Sequence, residues 1–399
     1  MARKRVIYQS EALYVGHSGA ETSQLRRIQS ANYSFDIART DVNQFGQLAA
    51  IDRIILEQPT VALDFNYLVS DGYNEAAIGL SVNHDKSCIS HLLSGKAPAT
   101  GNASNIWSSE YDSDNKNFYI LTSQEGSDAV GGTATGIIGI GNAQITNWSV
   151  NASVGDFISA DATFEGLNMT FNGDGSALQV KNPAVRQEDG SEIGGTYATI
   201  TLPAASAGTG TGIPTALRPG DVSVGLDTTL DGKKAFQSGT LGILHTDLKV
   251  QSFSCNLGLG RTPLEKLGSR FAFSKEIDFP VSVSMDFSAN MGELEQLGGA
   301  DDAGADDLQN LLADDGDFTL EVKCKPISGK NAGLKFKLRG AKLDSQSMSS
   351  SIGDNKSVDL SFSAQVGGPQ DAAHGLVIQR INSAGNDFND LTDMTLGGA

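Results

Sequence analysis

The stretch IQSANYSFDIARTDVNQFG, residues 28–46, returns in altered form as VQSFSCNLGLGRTPLEKLG at residues 250–268. Carried on without a gap, residues 28–65 match 250–287 at ten of 38 positions, among them Gln29/Gln251, Arg39/Arg261, Thr40/Thr262, Gly46/Gly268, Asp64/Asp286 and Phe65/Phe287. Apolar character persists where identity fails, as in Phe35/Leu257, Ile37/Leu259 and Leu63/Met285. Two further blocks follow in the same order. YQSEALYV (8–15) faces FQSGTLGI (236–243), and AQITNWSVNASVGDFISADATF (143–164) faces AKLDSQSMSSSIGDNKSVDLSF (341–362). A period near 200 residues is too long for a solenoid repeat and predicts two tandem copies of one domain.

Inside each copy the pattern has period 2, as expected for half-buried strands. Tyr33, Phe35 and Ile37 alternate with Ser34, Asp36 and Ala38; Val61, Leu63, Phe65 and Tyr67 alternate with Ala62, Asp64 and Asn66. In the second copy Phe253, Cys255, Leu257 and Leu259 form one face, as do Val281, Val283, Met285 and Phe287. The pattern returns with Ile158, Ala160, Ala162 and Phe164, and again with Val358, Leu360 and Phe362. Pro59 and Pro280 stand at strand starts, where a missing N–H is tolerated. The spacing predicts a mainly β protein, two antiparallel β-sandwich or barrel domains with one wet face each. One short flanking helix per copy is expected, at 74–82 and 306–315. The predicted boundaries are 1–202 for the first domain with an insertion at 83–117, 203–222 for a linker, and 223–399 for the second domain with a C-terminal arm from 364.

The chain has 399 residues, 46 of them glycine, and a formal net charge of −18. Both copies are acidic, with 12 Lys+Arg against 22 Asp+Glu in residues 1–205 and 17 against 25 in the remainder. That balance excludes phosphate gripping through basic patches. Three cysteines, Cys88, Cys255 and Cys324, are too few and too scattered for a disulfide framework. The basic start MARKRVIYQ lacks the apolar core of a secretion signal, and no run is long enough to span a membrane, so a cytoplasmic chain is expected.

A search for chemistry yields no catalytic or metal set. His84, Cys88 and His91 offer three ligands where zinc wants a fourth, and a solvated loop is the plainer reading. GIIGIGNAQ (136–144) has Gly139 and Gly141, but Gln144 stands where a dinucleotide loop needs its third glycine. The acidic run from Asp301 to Asp317 lacks calcium-loop spacing, and no nucleophile elbow occurs. No enzyme and no cofactor is expected. What recurs is a surface. The wet faces carry Ser34, Asp36, Asp64, Asn66 and Asp161 in the first copy, then Ser284, Asp286, Ser288, Asp359 and Ser361 in the second. Those positions hold no lysine or arginine and no aromatic platform on which a base could stack.

The Q-S-x-x-L start, the order strand, long loop, helix and strand, the hairpins around Gly155-Asp156 and Gly353-Asp354, and the duplication resemble the major tail tube proteins of long-tailed bacteriophages. The resemblance is to the version in which two tube domains are fused, and it covers nearly the whole chain. It implies homotrimeric, pseudo-sixfold rings stacked into a hollow tube in the virion tail, assembled in the host cytoplasm. The ten wet-face residues would then line the lumen, through which DNA passes unbound, and no membrane would be involved. Tape measure, tail tip and terminator proteins would be the other partners. The alternative is a two-domain β-sandwich module for carbohydrate binding or attachment, with Trp107 and Tyr111 as its exposed aromatics.

Overall fold

Val61, Leu63, Phe65 and Tyr67 are buried while Asp64 between them is exposed, so the predicted alternation is realised as a strand with one dry and one wet face. The computed structural model describes residues 11–16, 22–82, 87–94, 115–123, 128–130, 134–172, 178–186, 190–194, 198–207, 216–226, 248–269, 271–272, 274–291, 318–326, 333–351, 355–367 and 374–381. The first half contains β1 (Glu11–Gly16), β2 (Thr22–Gln24), β3 (Ile28–Asp36), β4 (Thr40–Val42), β5 (Asp52–Ile54) and β6 (Thr60–Leu68). Helices α1 (Tyr73–Ala77) and α2 (Ser90–Ser94) follow, then β7 (Lys116–Ser123), β8 (Ala134–Ser153), β9 (Ser159–Gly166), β10 (Asn168–Asn172), β11 (Gln179–Lys181) and β12 (Thr199–Thr201). The second half contains β13 (Val222–Leu226), β14 (Leu248–Gly258), β15 (Arg261–Leu264), β16 (Ser274–Ile277), β17 (Val281–Met291), β18 (Phe318–Cys324), β19 (Gly333–Ser349), β20 (Ser357–Val366) and β21 (Gly375–Ile381). The fold is mainly β, and the named strands pair antiparallel among the described residues, with one isolated parallel bridge from Val82 to Ile378.

The two halves repeat each other in register, down to their irregularities. β3 pairs β6 with a bulge between Ile28 and Ser30; β14 pairs β17 with a bulge between Val250 and Ser252, at an offset of 222. β8 pairs β9 with a bulge between Ile145 and Asn147; β19 pairs β20 with one between Leu343 and Ser345, at an offset of 198. β8 and β19 are long strands that pass from one sheet into another. Each kinks at the same place, where Asn142 (φ 53°) and Gly340 (φ 65°) adopt the left-handed conformation that asparagine and glycine tolerate best. N-terminal to the kink, β8 joins β7 and β10, and β19 joins β18 and β21.

C-terminal to the kinks the halves fuse. β8 pairs directly with β14, from Ser252↔Ser153 to Gly258↔Asn147. The result is one sheet in the order β3-β6-β9-β8-β14-β17-β20-β19, four strands from each half. Its dry face shares a single hydrophobic core with the outer strands of both halves. Trp148 packs on Phe336 with ring centroids 6.0 Å apart, and Phe253 packs on the same ring at 6.2 Å. A smaller cluster lies under β11 and β12, around Tyr14, Tyr119 and Ile200.

Several sequence expectations change. The helix expected at 74–82 is one short turn, Tyr73–Ala77, and 306–315 lies outside the described residues. The block at 236–243 also lies outside them; β13 at 222–226 pairs β18 as β1 pairs β7. The tail from 364 holds β21, whose seven residues are all buried between Gly-rich stretches. Cys88 is not in a solvated loop. It is fully buried where the first half meets the second, its N–H donating to the Leu376 carbonyl at 2.8 Å, and burial pushes its thiol up to about 12. Phe35 and Ile37, expected to be core, are exposed, because among the described residues β3 pairs only β6.

Candidate functional surface

The wet face of the fused sheet is built from the residues whose neighbours in sequence are buried. Asp64 sits between Asn32 on β3 and Thr163 on β9. Asp161 sits between Asn66 and Ser149, and Asn66 Nδ2 donates to its Oδ1 at 2.7 Å. In the second half Asp286 sits between Ser254 and Ser361, accepting from the Ser361 hydroxyl at 2.5 Å and from Ser254 at 3.5 Å. Asp359 sits between Ser288 and Ser347, accepting from Ser347 at 3.5 Å. Each of these acids is thus flanked by hydroxyls or amides and never faces a second acid directly across a strand pair, where like charges would destabilise the sheet.

Ser34, Asp36, Asp64, Asn66, Asp161, Ser284, Asp286, Ser288, Asp359 and Ser361 all lie on this one sheet, on strands β3, β6, β9, β17 and β20. They are not all gathered together. Asp286, Ser288, Asp359 and Ser361 line a common trough of about 820 Å³ with Ser254 and Ser347. Ser34 and Asp36 lie on the edge strand at the far end, with Asp36 opposite Thr60. The ten predicted residues leave out the polar positions of the two seam strands. Asn147, Ser149, Asn151 and Ser153 of β8 and Ser252, Ser254 and Asn256 of β14 continue the same polar face. Alternation of Trp148, Val150 and Ala152 with Ser149, Asn151 and Ser153 carried that signal.

Other candidate sites resolve into structure. Gly139 and Gly141 lie inside β8, not in a phosphate loop. A Cβ on Gly141 would stand 2.1 Å from the Pro183 carbonyl oxygen, so close backbone approach demands glycine there. His84, Trp107, Tyr111 and the acidic run from Asp301 to Asp317 lie outside the described residues. One buried polar chain runs beneath the seam. Trp148 Nε1 donates to Tyr67 Oη at 3.0 Å, and Tyr67 Oη donates to Glu75 Oε1 at 3.1 Å. Burial raises the Glu75 carboxyl to about 7 and pushes the Tyr67 hydroxyl well up. Tyr67, Glu75 and Trp148 are all buried, so this chain braces α1 against the core. Among the described residues no helix is long and apolar enough to cross a membrane.

No family matches this sequence, and no curated protein does. Among solved structures, a chain of the anti-feeding prophage baseplate is similar at 9% identity and a TM-score of 0.25, covering 43% of this chain and 97% of that chain. A chain of the native gene transfer agent virion is similar at 14% identity and a TM-score of 0.21, covering 41% of this chain and 98% of that one.

Proposed function

We propose that this chain is a structural protein of a phage-type tail, and that three copies close into a ring whose inner wall is the fused eight-stranded sheet. The observation that carries the reading is the seam. β8 is the edge of the first four-stranded unit and β14 the edge of the second, and they are joined. The remaining edges, β3 and β19, are the duplicates of β14 and β8. Whatever joins β8 to β14 within a chain is therefore repeated at the sheet's two outer edges, which have no partner strand among the described residues. Transferred by the offsets of 222 and 198, Asn256↔Ser149 becomes Ser34↔Ser347, and Leu257↔Trp148 becomes Phe35↔Gln346. The burial supports it. Leu257 and Val150 are fully buried in the seam, whereas their duplicates Phe35 and Met348 are 55% and 42% exposed.

Closing a sheet on itself abolishes edges that otherwise template aggregation. With strands about 4.8 Å apart, twenty-four of them make a circle of radius roughly 18 Å before tilt widens it, leaving a bore of about 26 Å. Two chains would leave only about 14 Å by the same reasoning. Three is also the number implied by the tube-protein resemblance. With the dry face held by each chain's own core, the wet face turns inward, and Asp36, Asp64, Asp161, Asp286 and Asp359 of every chain line the bore. Rings of this kind stack into a tube, meeting tape measure, tail tip and terminator proteins at its ends. A wall of carboxylates, serines and asparagines offers a phosphate backbone no cation to displace counterions onto, so DNA passes without being held.

The test is a paired cysteine variant, Ser34→Cys with Ser347→Cys. Within one chain these positions are seven strand spacings apart, about 34 Å along the sheet, so they cannot bridge intramolecularly. The native cysteines are buried and do not compete. Oxidation should convert the chain into a covalent closed trimer, while each single variant stays a monomer on a denaturing gel. A monomer in the oxidised double variant, with electron micrographs free of rings at high concentration, would overturn the reading.

A further inference from the structure

The two hairpins that leave the inner sheet are duplicates, yet only one is seated. The second-half hairpin, β15 with β16, lies across the first half's strands. Arg261 Nε donates to the Ile145 carbonyl oxygen at 3.0 Å, Lys275 Nζ meets Glu165 Oε1 at 2.6 Å, and the Leu259 N–H donates to the Thr146 carbonyl at 2.8 Å. Leu259, Ala272, Lys275 and Ile277 are all buried by this docking. The first-half hairpin, β4 with β5, occupies the same place 222 residues earlier and is exposed along both strands. Ile37, the duplicate of Leu259, is 36% exposed. Arg39, the duplicate of Arg261, is exposed and has no hydrogen-bond or ion-pair partner among the described residues.

We propose, building on the ring described above, that residues 37–56 form an arm that seats on the second half of an adjacent chain, with Arg39 donating to that chain's Leu343 carbonyl. The occupant is a second copy of this protein because the seat already exists within it. Ile145 and Leu343 are equivalent positions, each just before the bulge of its strand pair. The docking that Arg261 makes inside one chain is the docking that Arg39 can make between chains. Arg39-Thr40 and Arg261-Thr262 are also the one dipeptide kept identical in the two hairpins, while the ion pair of Lys275 is not kept. Its counterpart Arg53 would face Ser363 in place of Glu165, and it is held by Asp41 of its own hairpin at 2.6 Å. Arginine at position 39 therefore selects the neighbour; Arg53 stiffens the arm.

The experiment compares Arg39→Ala, Arg39→Lys and Arg261→Ala in the full chain. Arg39→Ala should leave the dilute monomer's melting temperature unchanged and raise the concentration for half-assembly about tenfold, as loss of one charge-assisted hydrogen bond per interface does. Arg39→Lys should recover part of the loss, and Arg261→Ala should lower the monomer's melting temperature. Amide exchange of residues 37–56 should slow on assembly of the wild type and not of Arg39→Ala. If the oxidised Ser34→Cys/Ser347→Cys trimer forms while Arg39→Ala assembles at the wild-type concentration, the arm proposal fails and the ring stands. If that trimer does not form at all, the ring itself fails.

Discussion

The seam between β8 and β14 and the two outer edges of the same sheet are made of duplicate strands, yet they differ in almost every physical respect. In the seam, Leu257 and Val150 are sealed, and Trp148 reaches from the first half to the second half's Phe336. At the edges, Phe35 and Met348 stand open, and Gln346 replaces the tryptophan. Residue type does not explain this, since phenylalanine and methionine are as apolar as leucine and valine. The neighbour does. A strand's dry face is dry only if something pairs alongside it, and among the described residues the edges have no such partner.

The sharpest way to break the comparison is to charge both members of a duplicate pair. Leu257→Asp places a carboxylate in a sealed core and should abolish folding of the chain, read by loss of the cooperative unfolding transition. Phe35→Asp, at the duplicate position, should leave the monomer's stability within about 0.5 kcal/mol of wild type and abolish rings. If Phe35→Asp still assembles at wild-type concentrations, the edge is not the contact.

A second pair separates the seam's packing from its mere existence. Trp148→Ala removes a fully buried ring and its hydrogen bond to Tyr67, and should cost about 3–5 kcal/mol in denaturant unfolding. Gln346→Ala removes a half-buried side chain whose Oε1 has no hydrogen-bond partner among the described residues, and should change monomer stability by less than about 0.5 kcal/mol. Equal costs at the two positions would mean that β19 is already packed as tightly as β8.

Glu75 tests whether the polar chain under the seam is held by a neutral carboxyl. Its carboxyl is raised to about 7 by burial, so between the ordinary carboxylate range and pH 7 the folded state holds a proton that the unfolded state has released. Its contribution to stability is thus greatest at low pH, falls as pH rises toward about 7, and is level above that. Glu75→Gln keeps an oxygen to accept from Tyr67 and removes the titration. The variant should match wild type near pH 4.5 and exceed it above pH 7 by something on the order of 3 kcal/mol, measured as the difference between the two denaturation curves. A constant difference across that range would place the proton elsewhere.

Much of this architecture could be read from the letters, and the limits have physical causes. The duplication, the strand faces and the acid positions follow from period and offset, because a side chain's face is set by local geometry alone. The pairing of β8 with β14 does not, since alternation says which way Trp148 points and nothing about which strand lies beside it. β21 was hidden for a different reason. GLVIQRI is a short run without alternation, buried on both faces, and Gly-rich neighbours made it look like part of a tail. The hairpins β4–β5 and β15–β16 are too short for a period to register. The wet face was legible in part. Asp64, Asp161, Asp286 and Asp359 follow from alternation, and so do Ser149 and Ser254; that these two belong to one continuous face depends on the pairing of β8 with β14, which alternation does not give.

The smallest expected effect on stability is also the one that bears most directly on what the wet face does. Asp64 and Asp286 are duplicates on β6 and β17, so in a ring they stand at equivalent heights around the bore. Their surroundings differ: Asp64 is exposed beside Asn32 and Thr163, while Asp286 is half-buried and accepts from two serines. Replacing both by lysine should therefore change monomer stability only modestly, with most of the cost at Asp286, where two hydroxyls lose their acceptor. Rings and tubes should still form, because neither side chain is in the core or at the β3 and β19 edges. What should change is the wall's behaviour toward a polyanion. Each ring would exchange six carboxylates for six ammonium groups, and every phosphate contact so created releases counterions and adds to the salt slope of binding. Wild-type tubes should show no uptake of a short fluorescent duplex even at low salt, whereas the double-lysine tubes should retain it at low salt and release it steeply as salt rises. Uptake by both would mean that the wild-type wall does not repel DNA, and uptake by neither that these positions do not line a channel wide enough for it.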